Sequence, residues 1–183
     1  KWKVAIPGAG SATPIVWGNQ VFLVSAIKTD RKPKKIAGKT QPGERPGGRG
    51  RFGGFHMSTP KPTTLYQFVI LCLDRATGKT LWQKVAIEEV PHEGHHPSHG
   101  YASASPITDG NNLYVSFGSR GVFCFDLKGN FKWRRDFGDM RIKVGFGEGT
   151  SPALHGDSLV VNWDHEGASF ITSLNAKTGK EIW

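Results

Sequence analysis

Three segments of the chain repeat one pattern: a small residue before proline, a turn, an apolar strand, a second strand ending in Asp or Asn, and then Gly and Trp. The repeats end at Trp82, Trp133 and Trp183, which are 51 and 50 residues apart. A period of about 40 to 50 residues with four short strands is typical of one blade of a β-propeller. The sequence therefore predicts an all-β fold of about three consecutive four-stranded blades.

The repeats also predict the boundaries of the blades. Blade 1 takes about residues 3–84, blade 2 about 101–135 and blade 3 about 149–183, within a single partial domain over 1–183. A propeller closes as a ring of roughly four to eight blades, which leaves few strand edges exposed. Three blades do not close such a ring, so we expect the sequence to be an internal part of a longer protein.

Each repeat closes on a polar turn followed by tryptophan. Side chains of Asp, Asn and Thr bond the backbone of such turns, glycine adopts a positive φ there, and tryptophan buries a large apolar surface. Stacked repeats are held by contacts between neighbours, so we expect these residues to anchor one blade on the next. The predicted structural anchors are Asp74, Gly78, Trp82, Asp126, Gly129, Trp133, Asn175, Gly179 and Trp183.

The positive charge of the chain is concentrated in one insertion. The formal net charge is +9, and residues 28–64 contribute +8 of it through ten Lys or Arg and two acidic residues. The segment lengthens only the first repeat and is poor in apolar residues, so burial cannot offset the entropy cost of ordering it. We therefore expect a disordered basic insertion. The composition of this insertion predicts either a flexible solvated loop or a binding site for nucleic acid or another polyanion.

The unusual residues collect on one face. In a four-stranded blade, the connections from strand two to strand three and from strand four to the next blade emerge on the same side, which we name the loop-rich face. The opposite side, the turn face, carries short turns of Asp, Asn, Gly and Lys. Functional groups collect on scaffolded loops. The candidate ligand or partner residues on the loop-rich face are His92, His95, His96, His99, Arg120, Arg141, Glu148, Asp164, His165 and Glu166.

Metal binding and catalysis on this face have weaker signals. Four histidines within 92–99 are a ligand type for zinc or copper, but their spacing matches no established zinc signature, so no metal site is assigned. Asp164, His165 and Glu166 offer ligands or a general base, whereas structural hydrogen bonding at the propeller mouth is the favoured interpretation. The sequence supports neither a Ser/His/Asp triad nor a phosphate-binding glycine loop. The catalytic residues stay unassigned.

The repeated turn with its tryptophan resembles the docking motif of pyrroloquinoline-quinone-type (PQQ-type) propellers. The sequences of residues 102–106, 117–121 and 162–167 are similar to those of uncharacterised planctomycete-type members of that repeat family. The family includes quinoprotein alcohol dehydrogenases and the propeller scaffold of outer-membrane assembly. The resemblance implies a ring of roughly eight blades and a periplasmic or otherwise extracytoplasmic setting. The longest apolar run, 68–73, is too short to span a membrane.

The resemblance implies a cofactor only for the enzymes of the family. Those enzymes use PQQ with calcium, a catalytic Asp and often a pair of adjacent cysteines. The two cysteines here, Cys72 and Cys124, are not adjacent, and no acidic residue matches the catalytic base. We therefore expect a binding or scaffolding propeller for a protein or small-molecule ligand. The alternatives are a quinone-dependent oxidoreductase and a polyanion-binding protein.

Overall fold

The computed structural model describes residues 1–33, 59–142 and 145–183. Within them, helical structure is limited to short 3-10 turns such as Gly118–Arg120, and no helix is long and apolar enough to cross a membrane. The described residues form eleven strands: β1 (Ile15–Trp17), β2 (Gln20–Lys28), β3 (Tyr66–Asp74), β4 (Thr80–Glu89), β5 (Ile107–Thr108), β6 (Asn112–Ser116), β7 (Val122–Asp126), β8 (Phe131–Arg135), β9 (Ala153–His155), β10 (Ser158–Trp163) and β11 (Phe170–Asn175).

These strands form three antiparallel sheets in chain order, with pairing β1-β2-β3-β4, β5-β6-β7-β8 and β9-β10-β11. A bridge between Leu174 and Glu181 continues the third sheet beyond β11. The all-β prediction with successive four-stranded blades is confirmed. β4 runs past the expected end of blade 1 at residue 84, as far as Glu89.

The core lies between the sheets. In β3 every residue from Phe68 to Leu73 is buried, which explains why this strand is continuously apolar in the sequence. Alternate side chains of β2 and β3 pack against blade 2, where Leu113 and Phe123 are almost fully enclosed. A second cluster joins blade 2 to blade 3 through Tyr114 and Leu159. The blades are therefore held together by apolar packing between neighbouring sheets.

Tryptophans on the turn face reach from one blade to the next. The indole Nε1 of Trp82 donates to the carbonyl of Leu127 at 3.1 Å, and that of Trp133 donates to the carbonyl of Ala176 at 2.9 Å. Each ring covers the turn glycine of the following blade. A Cβ on Gly179 (φ 69°) would lie only 2.7 Å from the ring of Trp133.

Trp2 makes the same contact with blade 1: its Nε1 donates to the carbonyl of Arg75 at 2.9 Å, and its ring covers Gly78. Trp183 differs, because 58% of it is exposed. The turns themselves close locally. Both the backbone N–H and the hydroxyl of Thr77 donate to Asp74 Oδ1 at 2.7 Å, and the turns at Asp126 and Asn175 use the same kind of bond.

The residue before each repeat proline links neighbouring blades on the loop-rich side. The backbone N–H of Thr13 donates to Ser105 Oγ at 3.0 Å. The N–H of Ser105 in turn donates to Ser151 Oγ at 2.9 Å. These residues form a ladder in which a hydroxyl accepts from the preceding blade, and this explains the repeated small polar residue before proline.

The described ends of the basic insertion are structured. Lys28, at the expected start of the insertion, is the last residue of β2. The hairpin then continues through a bond from Thr29 N–H to the carbonyl of Leu65 (3.0 Å) and one from Leu65 N–H to the carbonyl of Arg31 (2.8 Å). The expectation of disorder over all of 28–64 is therefore wrong at these ends. Its remaining part, 34–58, lies outside the described residues.

Cys72 and Cys124 occupy equivalent positions in β3 and β7, and both are free and buried. Burial raises the pKa of the Cys72 thiol to about 11 against the opposing effect of a hydrogen bond from Gln20. Burial likewise raises the pKa of the Cys124 thiol to about 12. Both side chains act as small apolar core residues.

Candidate functional site

The loop-rich face is organised around Arg120, which lies in the β6–β7 connection and is only 9% exposed. Its Nη1 donates to Glu89 Oε2 at 2.8 Å, and its Nη2 bonds Asp139 Oδ1. Glu89 ends β4 and Asp139 follows β8, so the guanidinium ties three connections together. The sequence pointed to Arg120 but not to these two partners, because nothing in the repeat pattern indicates which carboxylates a loop cation will reach.

His92 joins the same cluster from the β4–β5 connection. Its Nε2 lies 2.6 Å from the carbonyl of Met140, which can only accept, so Nε2 carries the hydrogen. Its Nδ1 lies 3.2 Å from Arg120 Nη2, which can only donate, so Nδ1 accepts. In the neutral ring, the hydrogen therefore lies on Nε2. Three carboxylates lie slightly farther away, Asp139 at 3.5 Å, Glu148 at 3.7 Å and Glu93 at 4.0 Å.

Glu148 is the most enclosed carboxylate of this face. Both of its oxygens are engaged by Ser119, through the backbone N–H at 2.6 Å and through the hydroxyl. A Cβ on Gly118 (φ 54°) would lie 1.8 Å from Glu148 Oε2, so only glycine leaves room for this approach. Burial raises the pKa of Glu148, against the opposing effects of the Ser119 bonds, His92 and Arg120.

A small cavity lies beneath this cluster. It has about 30 Å³ of space for the centres of water-sized molecules, enough for about two waters by the usual measure of ~10–15 Å³ each. Ligand pockets for small organic molecules are typically ~300–1,000 Å³. The cavity is therefore a water-sized internal space. Its walls are aromatic on one side and polar on the other: Phe68, Tyr101, Phe117, His92, Arg120 and Glu148.

His95 and His96 lie farther along the same connection, each in its own surroundings. His95 Nδ1 donates to the carbonyl of His96 at 2.7 Å, and its ring meets the edge of Tyr101 at 4.5 Å. His96 Nδ1 accepts from the backbone N–H of Ser98 at 3.2 Å, and its ring packs on Phe146 at 5.6 Å. Both histidines therefore take part in local loop contacts.

His99 lies against the β8–β9 connection, where a Cβ on Gly147 would be 2.6 Å from its Nδ1. That nitrogen is 3.4 Å from Ser103 Oγ. The four loop histidines thus do not converge. Within residues 1–33, 59–142 and 145–183, no group of three or more His, Cys, Asp or Glu is arranged to hold a metal ion.

Arg141, Asp164, His165 and Glu166 form a separate cluster between the β8–β9 and β10–β11 connections. Two backbone bonds define it: His165 Nδ1 accepts from Arg141 N–H at 3.2 Å, and Glu166 N–H donates to the carbonyl of Arg141 at 2.9 Å. The Arg141 guanidinium bonds the carbonyl of Glu166. Asp164 Oδ1 accepts from Ser169 Oγ at 3.0 Å. These side chains hold the two connections against each other.

The end of the basic insertion packs on this face as well. Thr59 Oγ1 donates to the carbonyl of Gly145 at 3.3 Å. A Cβ on Gly94 would lie 2.6 Å from the same Oγ1 and 2.7 Å from the carbonyl of Pro60. The sequence showed no sign of this contact, because the residues around Thr59 read as part of the insertion.

The described part of the face does not fit a quinone with its calcium. Both oxygens of Glu148 are bonded to Ser119, and Arg120 is neutralised by two carboxylates. The cavity beneath Arg120 is water-sized. A wider open cavity of about 470 Å³ beside Gly8 and His99 has no carboxylate in its lining, and the described residues contain no group of three or more His, Cys, Asp or Glu arranged to hold a metal ion. We therefore derive no chemical step from a quinone at these residues.

Comparisons with solved structures support the propeller fold. A quinohemoprotein alcohol dehydrogenase, ADHIIG from Pseudomonas putida HK5, matches with 16% identity and a TM-score of 0.52, over 100% of this chain and 21% of the enzyme. A europium-containing methanol dehydrogenase matches with 11% identity and a TM-score of 0.56, over 100% of this chain and 25% of the enzyme. At these identities the likeness shows the fold alone.

BamB from Moraxella catarrhalis is also among the matches, with 16% identity, a TM-score of 0.40, and coverage of 69% of this chain and 34% of that protein. The chain thus spans about a third or less of the length of these structures. A comparison with curated protein sequences gave no match.

Family assignment comes from the sequence itself. A sequence model of the family described as outer membrane protein assembly factor BamB matches residues 67–183. The match covers more than half of the chain, begins at the second residue of β3 and includes all the following strands. The chain therefore belongs to the family of outer membrane protein assembly factor BamB, among the PQQ-like propeller repeat proteins.

Proposed function

We propose that this protein is a binding module that presents its loop-rich face to a protein partner, in an extracytoplasmic setting. The family is named for an assembly factor, and the setting is the one that the resemblance implies. The proposal concerns the residues of the loop-rich face, whose solvent-exposed members include Asp164 and Glu166.

One observation carries the proposal: the polar groups of this face are bonded to one another across connections, and they do not converge on an enclosed ligand pocket. Arg120 joins three connections, and Glu148 is held by Ser119. Such mutual bonding gives a rigid surface, and a rigid surface loses little conformational entropy when a partner binds. The cavity beneath Arg120 and Glu148 holds only water-sized molecules.

The test compares two variants of the full chain that differ in the face they alter. The first replaces His95, His96 and Asp164 with Ala on the loop-rich face. The second replaces Asp157 and Lys177, an ion pair on the turn face whose side chains are 62% and 67% exposed. Partners captured from an extracytoplasmic extract are identified and purified, and their affinity for the wild type and both variants is then measured.

We expect the first variant to weaken binding by about tenfold or more, as is usual when central contact residues are truncated. The second variant should bind like the wild type. Equal losses in both variants, or a loss in the turn-face variant alone, would show that the loop-rich face is not the binding surface.

A quinone-dependent oxidoreductase is the competing proposal, and the dehydrogenase fold likeness is its support. The described residues speak against it, because the enclosed carboxylate and the buried guanidinium are already engaged. We predict that adding PQQ and calcium to the full chain gives no alcohol-dependent reduction of an artificial dye. Turnover that requires the added quinone would establish the enzyme instead.

Polyanion binding through 28–64 stays a prediction. Most cations of that segment lie at 34–58, outside the described residues. Among the described ones, Arg31 is paired with Glu88. Binding of a polyanion would weaken as salt rises, because each phosphate contact releases counterions.

A further inference from the structure

His165 occupies an unusual bonding position between two connections of the loop-rich face. Its Nδ1 accepts from two backbone groups at once, Arg141 N–H at 3.2 Å and Gly167 N–H at 3.0 Å. Arg141 belongs to the β8–β9 connection, and Gly167 belongs to the β10–β11 connection with His165. One ring nitrogen therefore holds a contact between connections and also closes the loop that carries it.

This geometry selects one protonation state. A nitrogen that accepts hydrogen bonds carries no hydrogen, so the ring is neutral with its hydrogen on Nε2. A second proton can then be added only at Nδ1, where it points at two backbone N–H donors. Protonation therefore removes both bonds and replaces them with opposed hydrogens.

We propose that His165 is an acid-sensitive clip that holds the β10–β11 connection to the β8–β9 connection when neutral and releases it when protonated. Histidine is the side chain that ordinarily changes charge between about pH 5 and 8. In the released loop, Nδ1 no longer faces the N–H groups of Arg141 and Gly167, so a ring protonated there fits the released loop better than the clipped one. Acid therefore shifts the population toward the released loop.

Charged side chains of the two connections have opposite effects on a positive charge on the His165 ring. Arg141, from the facing connection, opposes a positive charge on the ring, although its guanidinium bonds the carbonyl of Glu166. Asp164 and Glu166, from the same connection, favour a positive charge, although Asp164 already accepts from Ser169. None of these charges removes the conflict between a hydrogen on Nδ1 and the two backbone N–H groups.

Release is local. Glu166 N–H still reaches the carbonyl of Arg141 at 2.9 Å, and this bond does not involve the imidazole. The first consequence of protonation is therefore exposure of the Arg141 and Gly167 amides to solvent.

Two other histidines of the face that accept at Nδ1 have a further acceptor beside that nitrogen. Asp139 Oδ1 lies 3.5 Å from His92 Nδ1. His96 also accepts at Nδ1, but the hydroxyl of Ser98 lies 2.7 Å away and can accept a hydrogen placed there.

The test is amide hydrogen exchange on the full chain at about pH 8 and about pH 5, the limits of histidine titration. Rates are expressed as protection factors, which remove the intrinsic pH dependence of exchange. The amides of Arg141 and Gly167 should lose about tenfold in protection at the lower pH, the scale of one lost hydrogen bond. The amide of Thr77, bonded to Asp74 on the turn face, is the internal reference.

Two variants separate titration of His165 from other causes. In His165→Asn, the side-chain oxygen takes the place of Nδ1 and accepts the same N–H groups without titrating. In this variant, the protection of the Arg141 and Gly167 amides should stay high at both pH values. In His165→Ala the acceptor is missing, so protection should be low at both. Wild-type protection that does not change with pH, or a loss of equal size in His165→Asn, would overturn the proposal.

Discussion

The two faces of this propeller segment hold neighbouring blades by different means. On the turn face, the carboxylate of each turn bonds within its own turn, as between Asp74 and Thr77. The link between blades there is an indole ring that covers a glycine and donates its N–H to a carbonyl of the following blade. On the loop-rich face, polar side chains reach across connections, as Arg120 does to Glu89 and Asp139. A repeated tryptophan contact therefore maintains the repeat on the turn face, whereas the loop-rich face is free to vary its chemistry.

The largest effect should come from breaking the turn-face link. Trp133 is 9% exposed and donates to the carbonyl of Ala176. Trp133→Ala should lower the free energy of unfolding of the full chain by ~3–5 kcal/mol, as for other buried aromatic residues. Chemical denaturation measures the loss.

Phe131 provides the control within the same strand, because 58% of it is exposed. Phe131→Ala should cost less than about 1 kcal/mol, as for a surface substitution. Equal losses at Trp133 and Phe131 would contradict the view that the contact with the following blade supplies the stability.

A smaller loss is expected from the central cation of the loop-rich face. Arg120→Ala leaves Glu89 and Asp139 without their partner, and removing one member of a buried pair costs ~3–5 kcal/mol. Here the two carboxylates are 45% and 56% exposed, so water compensates in part and we expect about 2 kcal/mol. Arg120→Met, which keeps the volume of the side chain, should lose less. A larger loss for Met than for Ala in chemical denaturation would argue against this explanation.

Glu148 should give a smaller, pH-dependent effect. Burial raises its pKa in the folded protein above the ordinary value of 4.5. The folded state therefore holds this proton more tightly than the unfolded state. The stabilisation from the bound proton is fully present below pH 4.5 and is lost as pH rises through the raised pKa.

Glu148→Gln cannot titrate, and its amide can still bond both groups of Ser119. The stability of the variant relative to the wild type should therefore increase as pH rises above 4.5. The measurement is denaturation of both proteins across that range. A stability difference that stays constant with pH would show that this carboxyl is not responsible.

The smallest effect belongs to the exposed ion pair of the turn face. Lys177 Nζ lies 2.9 Å from Asp157 Oδ2, and both side chains are mostly exposed. Replacing both with Ala should change the free energy of unfolding by no more than ~0.5 kcal/mol, because water and salt screen such pairs. A loss comparable to that of Arg120→Ala would remove the contrast between the two faces.

Repetition made much of the fold predictable. The strands, their order and the turn glycines recur at one period, so the same pattern of apolar and turn residues is present in all three copies. The tryptophans could also be assigned to the repeat, although a single sequence does not say which carbonyl an indole will reach. That Trp133 bonds Ala176 of the following blade depends on how two sheets pack.

The candidate site was predictable only in outline. The loop-rich face could be identified from the order of the strands, but the contacts within it occur once and follow no period. Asp139 and Glu89 could not be matched to Arg120, and Thr59 could not be placed against Gly145. Such contacts depend on the three-dimensional course of irregular loops, which hydrophobic periodicity does not report.

The ladder at the repeat prolines bears on how such a protein can grow. Ser105 donates its backbone N–H to Ser151 and accepts from Thr13 through its hydroxyl, so one residue provides both halves of the joint. A duplicated repeat therefore carries both the N–H donor and the hydroxyl acceptor, so it can bond to another copy of itself on either side. Gene duplication can lengthen the array at this joint without a compensating second mutation, while the connections on the loop-rich face diverge independently in each copy.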